Sequence, residues 1–451
     1  MDLTTGKMLW QESYKNPPVY PSLGENISCD VVVFGGGEAG ALCAYYLSEH
    51  GMDTVLVEKR KIASGSTGAN TGLLQVSNDM PLHQMIDVHG QDDAVRFYRL
   101  CRTALDDLES LVRSLGNPFG NHASDPDGDP VGGSLTESAG ESVGSASEFV
   151  RRESLYFASK AADVKHIMDE YDSLSKHGFA VRKLNKQELA DQYGLQKEAG
   201  LVTTGDAEFN PYRLTHALVD HSARKNVRVY EDTEVASFHF RGQAPTFRTT
   251  QGNVIRAKQA VFCMGYETQD YEKTPGAVLT SSYAMATEPI EESLLWKERC
   301  LIWETARPYL YLRTTRDNRV IVGGLDGNAP YGRERDEHVF DRTEQLYAEM
   351  VALFPVLSGA RVDFRWAATF GNSQDGVPFI GRHPAYPNCY LALGYGGNGT
   401  VYYVIAAKVI RDMIRKASNL AWAEALLQPN RLRWDKALVQ KIEHLFTPGR
   451  S

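Results

Sequence analysis

From Cys29 to Glu58 the chain reads Cys29-Asp30-Val31-Val32-Val33-Phe34-Gly35-Gly36-Gly37-Glu38-Ala39-Gly40, then a helical segment from Ala41 to Glu49. A break at Gly51 follows, and then a second apolar run, Thr54-Val55-Leu56-Val57, that stops on Glu58. The order is strand, tight turn, helix, strand, acid. Gly35 permits the sharp turn out of the strand, Gly37 lets backbone approach a pyrophosphate, and Gly40 lets the helix lie close on the sheet. The helix N-terminus offers unpaired N–H groups and a positive dipole end to phosphates. Glu58 is placed to accept hydrogen bonds from ribose hydroxyls. The stretch predicts a dinucleotide site; the alternative is a glycine-rich turn with no ligand. Which dinucleotide it takes depends on the rest of the chain.

Outward from that unit, 451 residues give two to three domains' worth of chain. A composition of 42% hydrophobic and 23% charged residues supports a globular protein with a sizeable core. The net charge of −9, with no basic stripe, argues against nucleic-acid binding and mildly favours cationic small molecules. The six cysteines are scattered without a C-x-x-C pair, so neither a zinc site nor a disulfide framework is expected and the expected metal content is none. No apolar run is long enough to span a membrane, and the polar, proline-containing N-terminus does not read as a secretory signal. A cytoplasmic setting is the expectation.

Before Ile27 the sequence reads as an extended lead-in, with Trp10, Tyr14 and Tyr20 packed onto the body. After Glu58, the stretch Ser64-Gly65-Ser66-Thr67-Gly68-Ala69-Asn70-Thr71-Gly72 is too rich in small residues for a helix or central strand. It is suited to lie along a phosphate or a flat ring, or else is a surface loop. Apolar residues from Ala94 to Val112 recur at helical spacing. The segment 120–147 reads as a mobile acidic insertion whose aspartates do not match a calcium loop. His216 and His221 are expected as a surface pair on the helix from Pro211 to Lys225. Ala260 to Gly265 reads as a buried parallel strand ending on glycine. Near the end, Gly394, Gly396 and Gly399 repeat the G-x-G-x-x-G spacing before a helix that starts at Thr400. No strand and acid follow it. It is therefore no second nucleotide unit but a helix N-terminus aimed at something flat or anionic, so both ends of the chain converge on one extended cofactor.

At this point the residues resemble a family, the FAD-dependent amine and amino-acid oxidoreductases of the D-amino-acid oxidase superfamily, the glycine oxidase and sarcosine oxidase group. The resemblance runs from about Asp30 to Arg415. It rests on Gly35–Gly40 with Glu58, on Gly65–Gly72, on Asn210-Pro211-Tyr212-Arg213-Leu214, on Val261 to Gly265, on Asp317 to Gly324, on Trp366 to Gly381, and on Gly394 to Thr400. It implies an α/β fold: a Rossmann-like FAD-binding domain of the GR2 type and a second α+β substrate domain on a mainly antiparallel sheet. The implied FAD domain comprises 27–118, 201–266 and 361–420, and the substrate domain 149–200 and 267–360. The lead-in 1–26, the acidic insertion 119–148 and a C-terminal tail 421–451 lie outside both. The resemblance further places Glu38 and Ala39 over the pyrophosphate, and Glu58 and Lys59 beside the adenosine ribose. Ser66 and Thr67 meet the phosphates, while Thr71, Gly72 and Leu73 pass the flavin ring. Val235 holds adenine through its backbone, Gly265 closes the strand beside the cofactor, and Tyr395, Gly396, Gly397, Asn398, Gly399, Thr400 and Val401 lie beside the pyrimidine edge.

The departures from that family bear on the substrate. Phe370 stands where several relatives carry a carboxylate-binding arginine, and Val401 where sarcosine oxidases use a lysine. The flavin-bonding cysteine has no counterpart near Ala367, so FAD is expected to be non-covalent. Tyr309, Tyr311 and Arg313 alternate along a strand and share one face. Arg313 either pairs a substrate carboxylate or anchors the turn at Asp317-Asn318, and the tyrosines wall the substrate. Tyr266 and Tyr283 are weaker candidates. The expected reaction is oxidation of a C–N bond of a small amine or amino acid, by hydride transfer to flavin N5 and hydrolysis of the imine. The electron acceptor is O2 or another species. A flavin dehydrogenase of a hydroxy acid or alcohol feeding a quinone or carrier protein, and a non-catalytic flavin-fold binding protein, are the alternatives. Oligomeric state is not readable.

Overall fold

The structure, a computed structural model, describes residues 1–116, 147–241, 243–417 and 419–434. The acidic insertion expected at 119–148 lies outside them apart from Ser147 and Glu148. Two sheets organise the described residues. In the first, strands Cys389–Leu393, Val254–Phe262, Ile27–Phe34, Thr54–Val57 and Arg228–Tyr230 lie side by side and parallel. Phe379–Arg382 closes one edge antiparallel, and the antiparallel pair Val235–Arg241 and Ala244–Thr249 attaches to Val254–Phe262. Val31, Val32 and Val33 are buried, as expected where helices cover a parallel sheet. Burying one such side chain stabilises the fold by about 1.5 kcal/mol or more.

Register fixes where a ligand can lie. Phe34 pairs with Phe262 and with Val57, and Phe262 pairs with Leu391, so the carboxyl ends of the parallel strands are level. The turns at Gly35, Glu58, Cys263 and Gly394 therefore open along one crevice, where open α/β sheets bind ligands. Helices Glu38–Ser48, Gly399–Arg415 and Pro211–Arg224 pack together against this sheet. The last is started by Asn210, whose side chain accepts the Arg213 N–H at 3.1 Å, with Pro211 in its first turn.

The second sheet orders Thr4–Lys7, Val362–Ser373, Ala277–Thr287, Val320–Gly327, Leu310–Thr314, Leu301–Glu304, Val150–Phe157, Ala199–Glu208 and Leu73–Leu74, with Val181–Asn185 also on Ala199–Glu208. Every pairing is antiparallel except Leu301–Glu304 with Val150–Phe157. The expected mainly antiparallel sheet is present.

Three regions differ from the sequence reading. The lead-in packs onto the body through Trp10, as expected, which is buried and donates to the Asn70 carbonyl at 2.6 Å, but it also adds Thr4–Lys7 as an edge strand on Val362–Ser373. Residues 421–434 are docked, because Arg431 forms a buried bidentate pair with Asp375 at 2.6 and 2.8 Å. His216 is buried between the rings of Tyr14 and Tyr212, and burial lowers its pKa to about 4, whereas His221 is half-exposed and pairs with Glu49.

Candidate cofactor and substrate site

The crevice is one cavity of about 630 Å³. That is within the range of small-molecule and cofactor sites. It runs from Glu58 and Lys59, past the first glycine turn and Ser66, to an aromatic chamber at Tyr309 and Tyr311.

At the first end, backbone makes the site. Gly35 has φ +106°, and a Cβ there would stand 2.4 Å from the Cys263 carbonyl oxygen. A Cβ on Gly40 would stand 1.8 Å from the Gly35 carbonyl oxygen, so the helix can reach the strand only with glycine at that position. Gly35, Gly37, Glu38 and Ala39 line the cavity, whereas Gly40 lies behind it as the packing contact. The Glu58 carboxylate accepts the Gly36 and Arg60 N–H groups, both at 2.7 Å. Burial raises its pKa, and those two N–H groups partly offset the rise. Lys59 and Arg60 both reach Glu267, at 2.9 and 3.0 Å. Val235 and Gly265 line the same half.

In the middle, three distant segments meet at one carboxylate. Glu38 is 3% exposed; it accepts from the Thr400 hydroxyl and from Asn70 Nδ2 at 2.9 Å. Asn70 Nδ2 also donates to Thr400 Oγ1 at 3.0 Å, and Asn70 Oδ1 accepts the Gly72 N–H at 2.8 Å. The Thr67 hydroxyl accepts the Glu38 N–H at 3.1 Å. The small-residue stretch is thereby tied to the N-termini of both helices. Burial raises the Glu38 pKa to about 7, against the two side-chain hydrogen bonds.

Of the last-loop residues, Gly396, Gly397 and Gly399 line the cavity. Tyr395, Asn398, Thr400 and Val401 form the layer beneath: Tyr395 accepts from Gln269 at 3.1 Å, Asn398 exchanges bonds with the Gln75 backbone, and Val401 is core. Ser66, Thr67, Thr71 and Leu73 line the cavity, while Gly72 lies behind it under Phe209.

At the other end side chains make the site. Tyr309, Tyr311, Tyr266 and Phe370 line the chamber. Arg313 does not. It is buried, and its Nη1 donates to the Gly72 and Phe209 carbonyls at 2.7 and 2.8 Å. It lies 3.9 Å from Glu208. Neither expected role holds for it, the substrate clamp or the anchor of the Asp317 turn. Strand alternation gave its face correctly, but two residues beyond Tyr311 that face is covered by the Gly72 loop. Tyr283 is packed beside Arg335 instead of opening on the chamber.

The sequence reading missed Leu3, Asp79, Ser282 and Trp303, all of which line the cavity, Leu3 beside Gly65 toward the nucleotide end. Asp79 accepts the Gly397 N–H and hydrogen-bonds the Tyr309 hydroxyl. Burial raises its pKa, opposed by those bonds and by Arg307. Only its place in a polar loop after the glycine stretch could have drawn notice. Trp303 faces Tyr311 across paired strands, a relation visible only once register is known.

Three buried side-chain atoms on lining residues lack a protein partner: Ser66 Oγ, Gln75 Nε2 and Thr268 Oγ1. An unsatisfied buried polar group costs about 1–3 kcal/mol. Their spread along the cavity fits a long polar ligand.

Comparison with known proteins fits this geometry. The family model described as DAO, FAD dependent oxidoreductase, matches residues 30–126 and 132–413. Among curated proteins, the chain is 23% identical over 433 residues to a putative Rieske 2Fe-2S iron-sulfur protein of Bacillus subtilis, covering 95% of this chain and 76% of that one. It is 26% identical over 412 residues to gamma-glutamylputrescine oxidoreductase of Escherichia coli, covering 88% and 86%. Among solved structures, the L-proline dehydrogenase of P. horikoshii shares the fold with a TM-score of 0.72 at 17% identity, over 91% of this chain and 99% of that one.

Proposed function

Since the chain belongs to the DAO family of FAD-dependent oxidoreductases, we propose that it oxidises a C–N bond of a small amine or amino acid and releases an imine that water hydrolyses. FAD, when bound, supplies the two-electron, hydride-accepting chemistry. The continuous cavity from Glu58 to the tyrosine chamber carries the reading. The Gly35–Gly37 turn, the N-terminus of helix Glu38–Ser48, Ser66 and Thr67 would hold the pyrophosphate. Glu58 and Lys59 would border the ribose, the Val235 backbone the adenine, and the Gly396–Gly399 loop the pyrimidine edge. The N-terminus of helix Gly399–Arg415 would stabilise negative charge at that edge. Attachment is non-covalent in this reading, since Cys263, the one cysteine lining the cavity, lies buried under the Gly35 turn.

Trp303, Tyr309, Tyr311 and Phe370 exclude water and fix the substrate's orientation. Hydride transfer from a neutral amine needs that positioning more than a strong base. O2 is the proposed acceptor. The similarity to a protein named for a Rieske cluster favours a second reading, in which electrons leave to a separate carrier. Among the described residues no group of three or more His, Cys, Asp or Glu could hold a metal. No described helix is long and apolar enough to cross a membrane.

The test is a visible spectrum of the purified protein, then anaerobic bleaching by a panel of amines and amino acids. Yellow protein that bleaches, and makes peroxide when air is admitted, is expected. Bleaching without peroxide would move the acceptor to a carrier. Yellow protein bleached by no amine or amino acid would end the proposal.

A further inference from the structure

The charge lining the cavity is one-sided. Among the described residues its cations are Lys59 and Arg60, both at the nucleotide end and both engaged by Glu267. Its acids are Glu58, Asp79, Glu234, Glu267 and Glu272, the last facing His383 at 2.9 Å, together with Glu38, which burial holds nearer neutrality. The pyrophosphate of the family's cofactor adds more negative charge. A substrate carboxylate entering this field meets like charge at close range.

The chamber repeats the pattern locally. Asp79 lines the cavity hydrogen-bonded to the Tyr309 hydroxyl and close enough to interact with Tyr311, the residue that Trp303 faces across paired strands. Tyr309 and Tyr311 stand 5.7 Å apart at 43°. Asp326 stands behind Ser282, close enough to interact with Asp79. Among the described residues no cation lines the chamber itself, and the nearest one, Arg307, acts on Asp79 only from outside it. Arg313 is turned away onto backbone carbonyls. Arg307 is exposed, 5.0 Å from the Tyr309 ring centroid, and donates to the carbonyls of Ala306 and Asp79 at 2.9 and 3.3 Å. Phe370 supplies a ring, not a guanidinium. Aromatic faces around a carboxylate form a surface that attracts ammonium groups.

We infer that the chamber selects substrates carrying a cationic group remote from the oxidised C–N bond, a diamine or polyamine end, with Asp79 as the anchor and Tyr309, Tyr311 and Trp303 as its walls. This rests on the amine-oxidation reading and narrows it. The remote ammonium keeps its proton at Asp79, while the other nitrogen, neutral, presents its α-carbon for oxidation.

A matched pair of substrates separates the possibilities. 1,4-Diaminobutane and 4-aminobutanoate present the same primary amine, with an ammonium or a carboxylate at the far end. The FAD-loaded full chain is expected to be bleached anaerobically at least about tenfold faster by the diamine at equal, sub-saturating concentration. Tetramethylammonium, which cannot be oxidised this way, is expected to perturb the flavin spectrum on binding. Asp79→Asn keeps an acceptor for the Gly397 N–H, and its amide N–H can donate to the Tyr309 hydroxyl. It is expected to raise the diamine KM and the tetramethylammonium Kd about tenfold with kcat changed far less. Asp326→Asn, which does not touch Gly397, is expected to weaken both about two- to threefold. Faster bleaching by 4-aminobutanoate, or an Asp79→Asn enzyme with an unchanged diamine preference, would overturn the inference while leaving amine oxidation intact. If Asp79→Asn loses its flavin, an Asp326→Asn enzyme with unchanged cation affinity overturns it. A yellow protein that neither substrate bleaches would sink the proposed reaction instead, and the tetramethylammonium titration would still test the cation site.

Discussion

The chain carries the spacing G-x-G-x-x-G twice, and the two copies make instructive opposites. Both stand at the carboxyl end of a parallel strand in the same sheet and both lead into a helix. In the first, the third glycine is squeezed against the first: a Cβ on Gly40 would come within 1.8 Å of the Gly35 carbonyl oxygen. In the second, the corresponding Cβ on Gly399 would lie 3.3 Å from the Gly394 carbonyl oxygen. The second loop is crowded elsewhere, by Tyr403 against Gly394 and by Asp79 against Gly397. Equal spacing thus serves close backbone packing at one end of the cavity and a side-chain junction at the other.

Substitution should break the first copy before the second. Gly40→Ala forces a methyl into an immovable carbonyl. Overpacking of this severity exceeds the usual 1–3 kcal/mol, so no flavin-loaded protein is expected, checked by the visible spectrum of the purified variant. Arg313→Ala comes next. It strips the buried Gly72 and Phe209 carbonyls of a donor and leaves Glu208 to Arg152 alone, for a loss of about 3 kcal/mol or more read by denaturant unfolding. A raised KM with unchanged stability would restore it as a substrate clamp.

Glu38→Gln probes the junction between the two copies. The folded pKa of Glu38, about 7, lies above its ordinary value of 4.5. The neutral form is favoured on folding, so its contribution is complete below about pH 4.5 and is lost as pH rises through 7. A glutamine does not titrate. Relative to the parent, Glu38→Gln should therefore gain up to about 3 kcal/mol between pH 5 and pH 8 in the flavin-free protein. Equal differences in melting temperature at the two pH values would refute the buried-acid description. The smallest effect is expected for Gly399→Ala, within about 1 kcal/mol and with flavin retained, seen by thermal unfolding followed at the flavin absorbance.

Which parts could be read from residues alone follows from the same contrast. The unit from Cys29 to Glu58 is legible because its signals are local: an apolar run, glycines at fixed offsets and a terminal acid. The parallel strand expected at Ala260 to Gly265, which in the structure runs Val254–Phe262, and the final strand, loop and helix were legible for the same reason. The chamber was not, because it forms where separate strands and loops come into register. Arg313 shows the limit: alternation gives the face of a strand, not the point where the cavity beneath it ends. Thr4–Lys7 carries no apolar alternation, and its place comes from edge pairing with Val362–Ser373. His216 sits on a helix whose polar side is roofed by Tyr14, a contact from outside its own element.

The bond between Glu38 and Thr400 spans 362 positions. During synthesis the first strand, turn and helix emerge well before the other half of the same pocket, which follows 362 positions later. Domains form as units once their parts are available. Cofactor loading is then a late event, and nascent chains stopped before residue 399 should be released colourless.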